Sequence, residues 1–196
     1  MTNVLLHGFW GQPRDWNKVL ARLELSTAAL TPDLYASGGL SPEHELGGPW
    51  EENFHGYLDM EAGAEPVNLI GYSMGARLAL GAYFFKPERF SRVLLLSGNP
   101  VIPEEDRAAR AEWERLWREK FLTQPWSELE SGWQEIPVFS GDEPVKRQRA
   151  EPLRAMLGLS LSNWSPRQHG FGWKRVRELP KTVDWAFGAL DQKYLE

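Results

Sequence analysis

The chain has 196 residues, a length suited to one domain with a sizeable core. Apolar residues make up 42% and charged residues 25%, a globular composition with no apolar run long enough to span a membrane. A net charge of −5 argues against non-specific nucleic-acid binding, and zero cysteines exclude a disulfide framework and thiolate metal sites.

The opening "MTNVLLHGFW" has no basic leader and too short an apolar run for a signal peptide, so a cytoplasmic setting is expected. "VLLHG" (4–8) reads as a buried strand entering a glycine turn. "DWNKVLARLEL" (15–25) has helical spacing, with Asp15 as its N-cap. "AALTPDL" (28–34) reads as a second strand ending in a loop, and the Gly-, Ser- and Pro-rich 35–48 as a surface loop. "PWEENFHGYLDM" (49–60) opens on proline and carries acids in its first turn, the signature of a helix start.

A strand over 67–73 runs directly into a helix over 74–86, which Pro87 stops. A further buried strand covers 92–98, and a long charged amphipathic helix follows over 103–122. The pattern from 123 to about 180 is helical, broken by prolines, and "TVDWAFGALD" (182–191) reads as a last strand and loop. Strands alternating with helices imply a mostly parallel sheet flanked by helices. The expected division is a core of 1–100 and 181–196 with a helical cap, 101–180, inserted over the carboxyl ends of the strands, where ligands bind in such folds.

"GYSMG" (71–75) fits G-x-S-x-G between a strand and a helix, the context of a nucleophile elbow in an α/β-hydrolase fold. The glycines permit a tight turn that thrusts the Ser73 hydroxyl out at the top of the sheet. "HGF" (7–9) occupies the position of an oxyanion loop, so the backbone N–H groups of Phe9 and Met74 are candidates to hold a developing oxyanion. His7 is expected to order that loop rather than to do chemistry. Asp191 falls in the loop after the last strand, where this fold keeps its triad acid. No H-x-x-x-H pair, carboxylate–histidine cluster or phosphate-cradling G-x-x-x-x-G-K-[ST] loop occurs, so metal- and cofactor-free chemistry is expected.

Several segments together resemble one family: "LLHGFWG…DW", "GYSMGARLAL", "EDRAARAEWERLWREKFLTQPW", "WQEIPVF" (133–139) and "AMLGLSLS" (155–162) occur in that family's order. It is the 2-succinyl-6-hydroxy-2,4-cyclohexadiene-1-carboxylate synthases of menaquinone biosynthesis, lyases of α/β-hydrolase fold. The resemblance implies elimination of pyruvate from a cyclohexene carboxylate bearing succinyl and enolpyruvyl groups, with the serine acting as a base and the oxyanion hole holding an enolate. It implies a small substrate with several carboxylates, which gives convergent arginines a physical reason. On the family's motifs, Arg77 and Arg110 fall on substrate-binding arginines, and Tyr72 and Trp133 on pocket positions. A third arginine lies among Arg147, Arg149 and Arg154, with Arg149 preferred. Arg107 also matches a family position, although a helix-surface role suits it equally, and Trp113 and Trp117, four apart on one helix, are expected to pack.

The family's triad histidine should follow the acid by about twenty residues, yet Asp191 is five residues from Glu196. The final strand, histidine loop and closing helix are therefore expected to be missing from this span. The residual histidines (His7, His44, His55 and His169) sit where nothing in the spacing requires a base. Without one, Ser73 is a poor proton acceptor. Either the 196 residues are part of a longer chain, the preferred reading, or this is a triad-deficient relative. In a chain of this length alone, the open sheet edge predicts weak stability or oligomerisation. Two other functions stay open: a serine carboxyl-ester or thioester hydrolase, against which Arg77 and Arg110 speak, and a non-catalytic carboxylate-binding relative.

Overall fold

The computed structural model describes residues 1–24, 29–36, 39–136, 153–170 and 172–189. Within these, five strands form one all-parallel sheet in the order β2-β1-β3-β4-β5: β1 Asn3–Leu6, β2 Ala29–Leu30, β3 Val67–Tyr72, β4 Phe90–Leu96 and β5 Val183–Ala186. The helices are α1 Asn17–Arg22, α2 Pro49–Ala62, α3 Met74–Phe85, α4 Arg107–Thr123, α5 Trp126–Gln134, α6 Arg154–Asn163 and α7 Trp173–Arg177. The four helices α4 to α7 all fall between β4 and β5, which agrees with the helical block read between those two strands.

Strand β1 is buried on both faces, which is why it reads as an apolar run rather than as an alternating pattern. Val4 and Leu6 of β1, Leu69 of β3 and Leu95 of β4 enter the main core with α2 and α3. Leu5 of β1 points the other way, into a smaller cluster with Trp16 and Leu20 beneath the first helix. Helix α2 presents Trp50, Phe54 and Leu58 at four-residue steps to the main core, each fully buried, and burying such a side chain is worth roughly 1.5–3 kcal/mol. Its ends are closed by charged side chains. Glu51 accepts the N–H groups of Gly47 at 3.0 Å and Gly48 at 2.9 Å, while buried Arg89 donates to the carbonyls of Leu58, Gly63 and Glu65.

One local reading needs correction. Asp15 is not the N-cap of the first helix. Pro13 opens a 3-10 turn over Pro13–Trp16 with Gln12 as its cap, and Asp15 accepts the Gln12 N–H at 3.1 Å from inside the turn. The second strand is Ala29–Leu30 and passes into a loop at residues 31–33.

The chain runs from β1 out to β2 and then returns to pair β3 on the other side of β1. The sheet order therefore reverses between β1 and β3, and the loops leaving these two strands flank the crevice in which parallel sheets bind ligands. Gly75 makes that approach possible. A Cβ placed there would lie 2.6 Å from the His7 carbonyl oxygen and would collide with the Leu6 carbonyl. Among the described residues no helix is long and apolar enough to cross a membrane. Gly75→Ala is expected to cost about 3 kcal/mol or more, lowering the melting temperature by roughly 6–12 °C for a domain of this size. A melt indistinguishable from that of the parent would show that α3 does not need this contact.

Candidate active site

The elbow is one residue long. Strand β3 ends at Tyr72 and α3 begins at Met74, leaving Ser73 alone at φ 53°, ψ −111°. That left-handed backbone is costly for a residue with a side chain, on the order of 1–3 kcal/mol, and persists only when its surroundings dictate it. Here they do. The Ser73 N–H donates to Leu96 O at 2.8 Å, and Ser73 O accepts the N–H groups of Ala76 at 3.1 Å and Arg77 at 3.3 Å. Gly71 lies against the backbone of Gly75 and Ala76, a space that no Cβ could share. Among the described residues, no group hydrogen-bonds the Ser73 hydroxyl.

The loop after β1 faces this serine. A Cβ on Gly8 would stand 3.1 Å from the Tyr72 ring and 3.5 Å from Ser73 Cβ, so the two segments are in close contact. Neither the Phe9 nor the Met74 N–H has an acceptor among the described residues, whereas the next amide, Trp10, donates to the Tyr35 hydroxyl at 3.1 Å. His7 holds the loop in place. Its Nε2 accepts the Leu34 N–H at 3.1 Å, so its proton resides on Nδ1, which donates to Gly8 O at 2.9 Å. The ring is used on both sides, as expected for an ordering residue.

Helices α4 and α5 close over that loop through aromatic rings. Trp133 lies 4.6 Å from Phe9 and 4.8 Å from Trp117, ring centre to ring centre, while Phe121 packs against Phe9 at 5.8 Å. Trp133 thus joins the helical block to the oxyanion-loop candidate. Trp113 and Trp117 pack into the same cluster, in agreement with their reading as packing residues. Tyr72, 49% exposed, stands at the open end of β3.

Arg77, one turn into α3, reaches Trp164 O at 2.6 Å and His169 Nε2 at 3.3 Å through the same nitrogen. Burial, and then the adjacent Arg77 charge, hold the His169 ring well below the ordinary histidine range. Arg110 donates through Nε to Glu114 at 2.6 Å and lies 4.7 Å over the Trp113 ring. Arg167 donates its Nε to the other Glu114 oxygen at 3.0 Å, and the Ser165 hydroxyl adds a bond of 2.7 Å. Arg107 donates to Arg167 O at 3.0 Å, a role within the helical block rather than on its surface alone. Arg154 donates to Gln124 O at 3.0 Å and lies over the Trp126 ring, which fixes it between α5 and α6. Arg147, Arg149 and Asp191 lie outside the described residues.

The other histidines are occupied elsewhere. His55 Nε2 donates to Ala82 O at 3.0 Å and joins α2 to α3. His44 contributes its carbonyl to the Trp164 indole N–H at 3.0 Å. The sequence reading missed Glu114, Arg167 and the Trp164–His169 segment that brings Arg77 and Glu114 together. The spacing of Arg110 and Glu114, four apart on a helix, was the one available signal. Among the described residues, no group of three or more histidine or acidic side chains could hold a metal ion.

The parallel sheet, the serine turn and the loop facing it define an α/β-hydrolase-type protein, and residues 4–194 match the alpha/beta hydrolase family. The chain belongs to that family. It is 29% identical over 199 residues to the 2-succinyl-6-hydroxy-2,4-cyclohexadiene-1-carboxylate synthase of Enterobacter sp. (strain 638), covering 97% of this chain and 76% of that protein. The namesake from Escherichia coli O1:K1 / APEC is 28% identical over 156 residues, 78% of this chain and 60% of its own length. The chain thus spans about three-fifths to three-quarters of these relatives. In fold it is similar to MenH from S. aureus, with a TM-score of 0.77 at 21% identity over 100% of this chain and 77% of that one. Rv0554 from Mycobacterium tuberculosis gives 0.60 at 13% identity, over 95% and 81%.

Two buried histidines make stability depend on pH. Burial is the main cause that lowers both His55 and His169 from the ordinary 6.5. In the unfolded chain both bind protons as pH falls through about 6.5, while in the fold they resist. Their contribution is therefore complete above that pH and is lost below it. The melting temperature should fall between pH 7.5 and pH 5.5, and His55→Asn should flatten part of that slope. A melting temperature that stays constant or rises over that interval would contradict the assignment.

Proposed function

We propose that this chain carries the serine elbow, oxyanion hole and carboxylate-binding arginines of a lyase. It would eliminate pyruvate from 2-succinyl-5-enolpyruvyl-6-hydroxy-3-cyclohexene-1-carboxylate to give 2-succinyl-6-hydroxy-2,4-cyclohexadiene-1-carboxylate. The observation that carries the reading is Ser73, held at φ 53° beside two backbone N–H groups with no acceptor among the described residues. The names of the relatives, at 28–29% identity, supply the substrate class.

In this reading Ser73 Oγ takes the proton from the ring carbon next to the succinyl carbonyl. The electron pair enters an enolate whose oxygen lies on the Phe9 and Met74 N–H groups. The ring double bond then shifts, the C–O bond to the enolpyruvyl group breaks with its electron pair on oxygen, and the released enolate takes up a proton at carbon to become pyruvate. The reaction is redox-neutral and its atoms balance without a co-reactant. Arg77 and Arg110 bind substrate carboxylates, Trp133 and Tyr72 line the pocket, and Arg149 is the third arginine. Asp191 is the triad acid, and residues 101–180 act as the cap over a core of 1–100 and 181–196.

The four histidines do not supply the base. His7 and His55 are bound to backbone groups, His44 makes no hydrogen bond to Ser73, and His169 accepts from Arg77 and is too weakly basic. The Ser73 proton therefore leaves to another group.

Pyruvate release, followed by coupled lactate dehydrogenase, tests the proposal. Ser73→Ala should lower kcat on the order of 10³-fold or more with the fold retained. Unchanged release would mean that the elbow is not the base. Fast hydrolysis of nitrophenyl esters without pyruvate would make the protein a serine hydrolase instead.

A further inference from the structure

We infer that Arg167 is a further carboxylate-binding residue beside Arg110, and that Glu114 positions both. The inference deepens the lyase reading and rests on it for the identity of the ligand. Glu114 is 2% exposed and holds both guanidinium groups by the same atom, Nε: Arg110 at 2.6 Å on one oxygen, Arg167 at 3.0 Å on the other. An arginine that serves only to neutralise a buried carboxylate commonly docks two nitrogens on it. Here the terminal nitrogens of both arginines have no acceptor among the described residues. Together they form the end-on fork that binds a carboxylate, while Nε stays on Glu114.

Charge points the same way. One carboxylate between two guanidiniums leaves a surplus positive charge, and the side chains of both arginines are only about one-third exposed, at 32% and 28%. Such a triad is costly to bury without a further anion. Nearby Glu104 is engaged by Arg107 at 3.4 Å and is 91% exposed, so it does not neutralise the pair. The cluster also connects to the elbow. Ser165 donates to Glu114, and the preceding residue, Trp164, accepts Arg77 through its carbonyl. The segment 164–167 thus joins Arg77, one turn from Ser73, to Arg110 and Arg167. Three guanidiniums on one scaffold suit a ligand with two or more carboxylates spaced across a small ring.

Titration calorimetry of the chain with succinate and with monomethyl succinate, together with steady-state pyruvate release, tests this. Arg167→Lys keeps a cation for Glu114 and should fold, yet it loses the planar fork. It should weaken succinate binding about tenfold and raise KM similarly with kcat within about twofold. Monomethyl succinate should bind the parent more weakly and lose little on substitution. Glu114→Gln should reproduce the rise in KM although both arginines remain. Parental succinate affinity and KM in Arg167→Lys, or no succinate binding by the parent, would overturn the inference. If succinate binding falls in Arg167→Lys while even the parent releases no pyruvate, Arg167 stands as an anchor and the lyase reading fails.

Discussion

The arrangement depends on one backbone constraint, the left-handed conformation of Ser73 between β3 and α3. An L-residue there is held against its preference, and three contacts do the holding: its own N–H on β4, the Ala76 and Arg77 amides of α3 on its carbonyl, and glycines on either side where side chains would collide. The constraint places the first turn of α3 against the end of β1. It therefore also fixes the distance between the serine and the loop that carries Phe9. Sheet topology and elbow are two aspects of one device, because the reversal of strand order between β1 and β3 brings their loops side by side.

Above that device, packing and charge are divided. The contact between the helical block and the loop after β1 is aromatic, centred on Trp133, and confers no charge preference. Positive charge enters from one side through Arg77, Arg110 and Arg167, each held by a different partner: a main-chain carbonyl, and the two oxygens of Glu114. His169 fits this division. Buried beside Arg77, it adds no competing cation, since both its burial and that neighbour keep it neutral. The result is a local positive field in a chain of net charge −5.

What the sequence made legible was local. The elbow motif is set by residues next to one another in the chain, and its flanking strand and helix are found where they were read. The packing role of Trp113 and Trp117 was readable from their spacing. Asp15 misled because aspartate serves equally as an N-cap or one turn inside, and Pro13 chose the second. Glu114 and Arg167 were not legible for a different reason. Their pairing joins residues 53 apart, and a glutamate on a charged helix reads as solvated until the segment Trp164–His169 is seen to cover it. Arg149 and Asp191, which rested on resemblance and position, lie outside the described residues.

The proposed function requires a ligand with several carboxylates over Ser73, with its reacting carbonyl held by the Phe9 and Met74 N–H groups. The most direct measurement is a crystal structure of Ser73→Ala with the cyclohexene substrate bound. In that complex the succinyl carbonyl oxygen should lie on the Phe9 and Met74 N–H groups and separate carboxylates on the arginine side, with the ring beneath Trp133. A ligand bound away from residue 73, or seated there with its carboxylates turned from the arginines, would contradict it.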